Sequence, residues 1–238
     1  MEISLLLFKM KDMQKGYHIK ALSFCLILLG LLCFPNLVFA QSKKLPLQGG
    51  FMVGISGSQV DGDRLSGYNK PGLFAGGSII GGLTDKYSLE FQINFAQKGA
   101  RSSNQEFEKS GKRTIIRYNY IEFPLNFRYH FSSNGCIGAG VAANVFVSGE
   151  IDPGDNLGFI DLTDKDMKRM DLSSQLLIEY KITDNLYLGG RMSYSIIPAN
   201  KLLNQQNFGQ YLAGYRPGLY NNTLTFFVAY RGILSNLK

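Results

Sequence analysis

The sequence predicts an all-β fold, an eight-stranded antiparallel up-and-down transmembrane β-barrel behind a cleaved leader. Three observations carry that expectation. The first is strict two-residue alternation: Ile121, Phe123, Leu125, Phe127 and Tyr129 share one face of an extended strand, and Glu122, Pro124, Asn126, Arg128 and His130 share the other. Tyr87, Leu89, Phe91, Ile93 and Phe95 alternate in the same way with Ser88, Glu90, Gln92, Asn94 and Ala96. The second is that short and long connections alternate along the chain, the layout of an outer-membrane barrel with tight periplasmic turns and long extracellular loops. The third is an export leader, which places the chain in an envelope compartment.

Residues 1–40 read as that leader. Lys9, Lys11, Lys15 and Lys20 make a basic n-region, 21–34 (ALSFCLILLGLLCF) an apolar h-region, and Val38-Phe39-Ala40 a small-residue cleavage site before Gln41. The apolar run is shorter than the about 20 residues of a spanning helix, so an anchor is disfavoured. The n-region is long, and Met10 or Met13 is as consistent a start as Met1. Leu32 before Cys33 and Phe24 before Cys25 do not suit a lipoprotein signal.

Cys25 and Cys33 leave with the leader, so Cys136 is alone in the mature chain and no intramolecular disulfide forms. The leader also removes four lysines and two acids, Glu2 and Asp12, taking the net charge from +7 to +5. That charge is dispersed without a basic run, which excludes a nucleic-acid surface.

The mature domain, 41–238, divides after a polar lead into eight extended segments. The first, 49–58, is glycine-containing; the second, 72–82, is bounded by the turn Leu83-Thr84-Asp85; the third, 86–97, and fourth, 113–130, carry the alternation above. Phe131-Ser132-Ser133-Asn134 leads into the fifth, 135–149, with Gly138, Gly140, Ala142 and Asn144 on one face. The sixth, 168–182, sets Leu172, Leu176, Ile178 and Tyr180 on one face and reaches the seventh, 185–197, through Thr183-Asp184. The eighth, 220–232, alternates through Leu224, Phe226, Val228 and Tyr230. Long loops near 59–70, 98–112, 150–167 and 198–219 fill the other end, and an even strand count leaves both termini periplasmic.

Alternation alone does not say which face is outside. A soluble lipocalin-like barrel would line a pocket with the apolar set and turn the polar set to water, normally with many Lys and Glu. Here the polar set is rich in small neutral residues, Gly138, Gly140, Gly189, Ser193 and Ser195 among them. Small residues suit a crowded lumen, and the apolar set with aromatics near strand ends suits a lipid belt.

On the polar face, Glu90, Arg128 and Glu179 stand at similar heights above the tight turns, with Arg191 slightly higher and Glu122 well above. The expected pairs are Glu90 with Arg128 and Glu179 with Arg191. Eight strands leave an interior that side chains fill, so these five charges are expected to form a structural network in the lumen. Pro124 has no N–H to give, so a strand bulge or loosened ladder is expected there. His130 and Cys136 flank a tight turn and face each other, which is one or two ligands short of a zinc site. Asp152, Asp155, Asp161, Asp164 and Asp166 do not follow the spacing of a calcium loop. His130 is the one histidine of the mature chain and no G-x-S-x-G occurs, so no catalytic, cofactor-binding or metal residues are assigned.

Tyr120-Ile121-Glu122-Phe123-Pro124-Leu125, followed by a Gly-rich strand, resembles the Y-x-E-x-P strand of the PorT-like outer-membrane β-barrel family of Bacteroidetes. The glycine-containing opening strand at 50–57, the run from Glu90 to Lys98-Gly99, and Arg191 with Tyr194 extend the likeness over most of the mature chain. The resemblance implies a barrel similar to the small OmpA/OmpX type, in the outer membrane. It does not imply one role, because members share a fold and differ in function. The expectation is a non-enzymatic, monomeric barrel in contact with outer-membrane lipid, with its long loops meeting the surroundings or other envelope proteins. A secretion or envelope-assembly component and a narrow solute pore are the alternatives.

Overall fold

The computed structural model describes residues 47–63, 65–154, 158–162, 166–200 and 218–234. The expected leader, 1–40, and most of the last long loop lie outside the described residues. Among the described residues nine strands and one helix follow in order: β1 Leu47–Asp61, β2 Lys70–Gly82, β3 Tyr87–Arg101, α1 Asn104–Ser110, β4 Ile115–His130, β5 Gly135–Asp152, β6 Ile160–Leu162, β7 Met170–Lys181, β8 Leu186–Ser195 and β9 Tyr220–Ile233. Eight long strands pair antiparallel with their sequence neighbours, and β9 returns to β1, which closes the barrel. Stepping across register partners from Gln48 through Ile80, Glu90, Asn126, Gly140, Gln175, Ser193 and Thr223 comes back to β1 at Ser58. The return lies ten residues along the strand, 58 less 48, a stagger that tilts the strands steeply to the barrel axis.

The alternation resolves as lipid side and lumen side. Phe91 is 44% exposed and Gln92 1%; Leu176 is 61% exposed and Gln175 2%. Glu90, Glu122, Asn126, Arg128, Glu179 and Arg191 are all buried. The apolar face is outside, the reverse of a lipocalin.

Three local features differ from the sequence expectation. Within the loop at 98–112 lies the seven-residue α1, closed by a capping box. Ser103 Oγ accepts from Glu106 N (3.2 Å), Glu106 Oε2 accepts from Ser103 N (2.7 Å), and Gly111 ends the helix at φ 67°. The ninth strand, β6, is a three-residue addition to the upper part of β5. The bulge is not at Pro124. Asn119 pairs with Ser148 and Tyr120 with Phe146, so the extra residue is Val147 on β5. Val147 and Ser148 both face outward, after which Gly149 and Ile151 turn inward. At Pro124 the β3 pairing lapses between Phe91–Leu125 and Asn94–Glu122, three residues apart on both strands, so the register is kept. The Leu125 carbonyl lies against Gly140 of β5, which by alternation aims the missing Pro124 N–H toward β3. A lost donor loosens the ladder without requiring an extra residue.

Arginine placed at Phe91 or Leu176 should cost about 2 to 4 kcal/mol in urea unfolding from lipid vesicles, as charges do on a lipid face near mid-membrane. Brominated lipids should quench a probe at position 91 and spare one at 92. Quenching at 92 alone would turn the barrel inside out.

Candidate functional site in the barrel lumen

The inward positions bring charges from four different walls to one level near the tight turns. Arg128 of β4 lies 2.9 Å from Glu90 of β3, an ion pair outside hydrogen-bond geometry, and also meets Glu179 of β7. Arg231 of β9 donates to both oxygens of Glu179, at 2.6 and 2.8 Å, and to Glu90 at 3.1 Å. The four side chains form a ring of alternating charge across the lumen. All are nearly inaccessible, so the attractions act at a low effective dielectric and offset a large desolvation cost.

A second set stands higher. Glu122 takes Lys98 Nζ at 2.6 Å and Arg191 Nη1 at 3.5 Å, and Arg191 Nη2 donates to Gln92 at 2.7 Å. The Arg191 guanidinium also lies over the rings of Phe74 (4.6 Å) and Phe227 (5.7 Å). The expected Glu179–Arg191 pair is therefore not formed. Glu179 stands opposite Gly189 and Arg191 opposite Leu177, and the stagger carries Arg191 up toward Glu122.

Two of these partners escaped the sequence reading. Arg231 shares its inward set with Phe227 and Ala229, so no polar face announced it. Lys98 lies just past the predicted end of its strand, although it continues the inward set of Gln92, Asn94 and Ala96.

Above the charges the lumen turns apolar. Val60, Ile116, Tyr118, Tyr120, Phe146, Ile151, Leu162, Met167 and Leu219 belong to one buried cluster. The rings of Tyr118, Tyr120 and Phe146 meet edge to face at 5.7 to 6.3 Å. Asp63, just after β1, is buried at the edge of this cap; Oδ1 accepts from Leu65 N at 2.8 Å and Oδ2 has no hydrogen-bond partner among the described residues. Burial raises its pKa to about 7, opposed by the Leu65 amide and reinforced by Glu106 and Asp61.

At the tight-turn end a cavity of about 330 Å³ is lined by Arg128, His130, Cys136, Glu179, Lys181 and Arg231 among others. His130 and Cys136 are register partners. His130 Nε2 lies 3.0 Å from Ser88 Oγ, and Arg128 Nη2 donates to Cys136 Sγ at 2.9 Å. Among the described residues no carboxylate hydrogen-bonds the His130 ring, so this Ser–His pair lacks the orienting third group of a triad. No group of three or more His, Cys, Asp or Glu converges among the described residues, and Asp155 and Asp164 lie outside them.

A closed barrel with an apolar belt outside and ion pairs within is the build of an outer-membrane protein. The chain belongs to the family described as outer membrane protein beta-barrel domain, whose model matches residues 39–200. No curated protein matches it. Among solved structures it is similar to Ail, the attachment invasion locus protein of Yersinia pestis, at 12% identity over 79% of this chain and 100% of that one, with a TM-score of 0.49. It is also similar to Neisserial surface protein A (12% identity, 79% and 97% covered, TM-score 0.42). A third is OprG from Pseudomonas aeruginosa (11% identity, 80% and 97% covered, TM-score 0.39).

Arg128→Ala should lower barrel stability by about 3 to 5 kcal/mol, because it leaves Glu90 and Glu179 buried with one cation fewer. Glu90→Gln in that background should restore part of the loss, a coupling read by a double-mutant cycle in urea. Additive losses would separate the two side chains.

Asp63 sets a second expectation. Its folded pKa of about 7 lies above the ordinary 3.8, so its contribution is full below pH 3.8 and is lost as pH rises toward and past 7. Hydrogen exchange in 62–69 should quicken between pH 5 and 8 beyond its intrinsic rise, and Asp63→Asn should abolish that excess. An excess unchanged in Asp63→Asn would assign it elsewhere.

Proposed function

We propose that this outer-membrane barrel is a plugged, non-enzymatic surface protein that works through its ends. The supporting observation is the filled lumen: a ring of ion pairs crosses it at one level and an apolar cluster fills it above. A continuous water path, which a pore requires, would have to break both. In this reading the leader is removed after Ala40 and the mature monomer inserts with both termini in the periplasm. The long loops then meet the outside or a partner. The five charges Glu90, Glu122, Arg128, Glu179 and Arg191 act with Lys98 and Arg231 as structure.

A second reading, a secretion or envelope-assembly component acting through periplasmic partners, draws on one observation. The cavity at the tight-turn end presents Lys181, His130 and Tyr187 around a charged floor, and in the proposed orientation it opens to the periplasm.

In planar bilayers the purified protein should give no steady, reproducible conductance step. On intact cells, protease should cut within 98–112 or 150–167 and spare the tight turns. A stable open channel would overturn the plugged reading in favour of a pore. Cleavage at the turns on intact cells would reverse the orientation.

A further inference from the structure

The outward face of β3, β4 and β5 changes character over a single residue step. On β4 the lipid-side positions are apolar up to Ile121 and then become Asn119 and Arg117; on β3 they are apolar up to Phe95 and then become Gln97, Gly99 and Arg101. Gln97 donates to Asn119 (3.2 Å) and Asn119 to Ser148 (2.9 Å), so one row of hydrogen-bonded polar side chains edges the apolar belt across three strands. The Val147 bulge makes this row possible, because it turns Ser148 and Glu150 outward.

In the next row Gly99 stands opposite Arg117, and Arg117 opposite Glu150. Arg117 is held in place: Nη1 meets Glu150 at 2.8 Å and the guanidinium lies 4.3 Å over the Phe159 ring, while the side chain remains 47% exposed. Gly99 has φ 138°, and a Cβ there would run into the Ile116 carbonyl, so the position beside Arg117 stays bare. Arg101 follows on the same strand and makes no ion pair among the described residues. The nearby acids, Glu150 and Asp161, stand on the β5–β6 side of Arg117, away from Gly99. Arg101 and Arg117 thus share the outward set on either side of Gly99, which puts no side chain between them.

We propose that Arg101 and Arg117 bind the phosphate of a phosphorylated lipid headgroup between them. Guanidinium groups match phosphate oxygens in bidentate geometry, and a phosphate between them replaces their mutual repulsion with attraction. The source is a lipid and not a soluble phosphate because the site begins directly above the belt. Acyl chains of its occupant run down along Phe95 and Ile121. The inference rests on the lipid-facing assignment of that belt, which quenching at positions 91 and 92 tests separately; it does not depend on which leaflet the long loops face.

Native mass spectrometry of the full barrel in uncharged detergent provides the test, with dioleoyl phosphatidic acid and dioleoylglycerol as probes. The wild type should retain phosphatidic acid at least about ten-fold better than dioleoylglycerol, and that preference should weaken with salt. Arg101→Gln with Arg117→Gln should abolish the preference, Arg101→Lys with Arg117→Lys should keep most of it, and Lys181→Gln at the other end should leave it unchanged. Excess glycerol 3-phosphate should not displace the lipid. A heat-dependent gel shift verifies that each variant is folded; if the double variant is not, Arg101→Gln alone should lower the preference at least about three-fold. No preference in the wild type, a preference that survives Arg101→Gln and the double variant, or displacement by glycerol 3-phosphate would each overturn the proposal.

Discussion

A barrel of eight strands has to satisfy in its lumen whatever its inward positions carry, and the ring Glu90–Arg128–Glu179–Arg231 is where that constraint is tightest. Each member comes from a different strand, and none is within reach of water enough to stand alone. Among the described residues the buried acids are Asp63, Glu90, Glu122, Asp171 and Glu179, and the buried bases are Lys70, Lys98, Arg128, Arg191 and Arg231. Setting aside Asp63 and Lys70 at the long-loop end, four acids stand against four bases in the lumen, so the ring is stabilised by local pairing and carries no large self-repulsion. The pairing exists only when all the registers are right. A slip of one residue on any of these strands would send its charge to lipid and strand the partners.

Space for the ring comes from the strand between Arg128 and Glu179. β5 contributes Gly138, Gly140 and Ala142 to the inward face, level with the long side chains of β4 and β7. A Cβ at Gly138 would press on Leu177 at 3.0 Å and on the Phe127 carbonyl at 3.1 Å, and one at Gly140 would strike the Leu125 carbonyl and Asn126. The glycines are thus the volume counterpart of the arginines.

Sidedness and connectivity were legible in the sequence because each depends on neighbours along the chain. A two-residue period marks the faces, and Leu83-Thr84-Asp85 or Thr183-Asp184 marks a turn. Pairing inside the barrel was not legible, since Glu179 and Arg191 are apart only because the stagger, summed over all strands, says so. Arg231 was hidden for a related reason. An inward set that reads Thr225, Phe227, Ala229, Arg231 is polar at one level and apolar at the next, according to what lies across the lumen. The apolar cap, assembled from Tyr118, Phe146, Met167 and Leu219, is likewise a meeting of distant segments. The helix α1 was legible in principle through Ser103-x-x-Glu106, but seven residues are too few to display a helical period.

The two halves of the lumen also differ in what surrounds their ion pairs. The Arg128–Glu179–Arg231 side of the ring borders the cavity at the tight-turn end and is nonetheless closed off, its side chains 2% exposed or less. Lys98 and Glu122 lie beneath the apolar cap, with the Lys98 ammonium 5.1 Å from the Tyr120 ring, and are buried to the same degree. Burial is therefore equal at the two levels, and what differs is number: two carboxylates share two guanidiniums in the lower ring, where Glu122 alone takes both Lys98 and Arg191 above. The cap does more than close the barrel: by excluding water it sets the strength of the contact beneath it, so loosening Tyr120 and loosening Lys98–Glu122 are one event and not two.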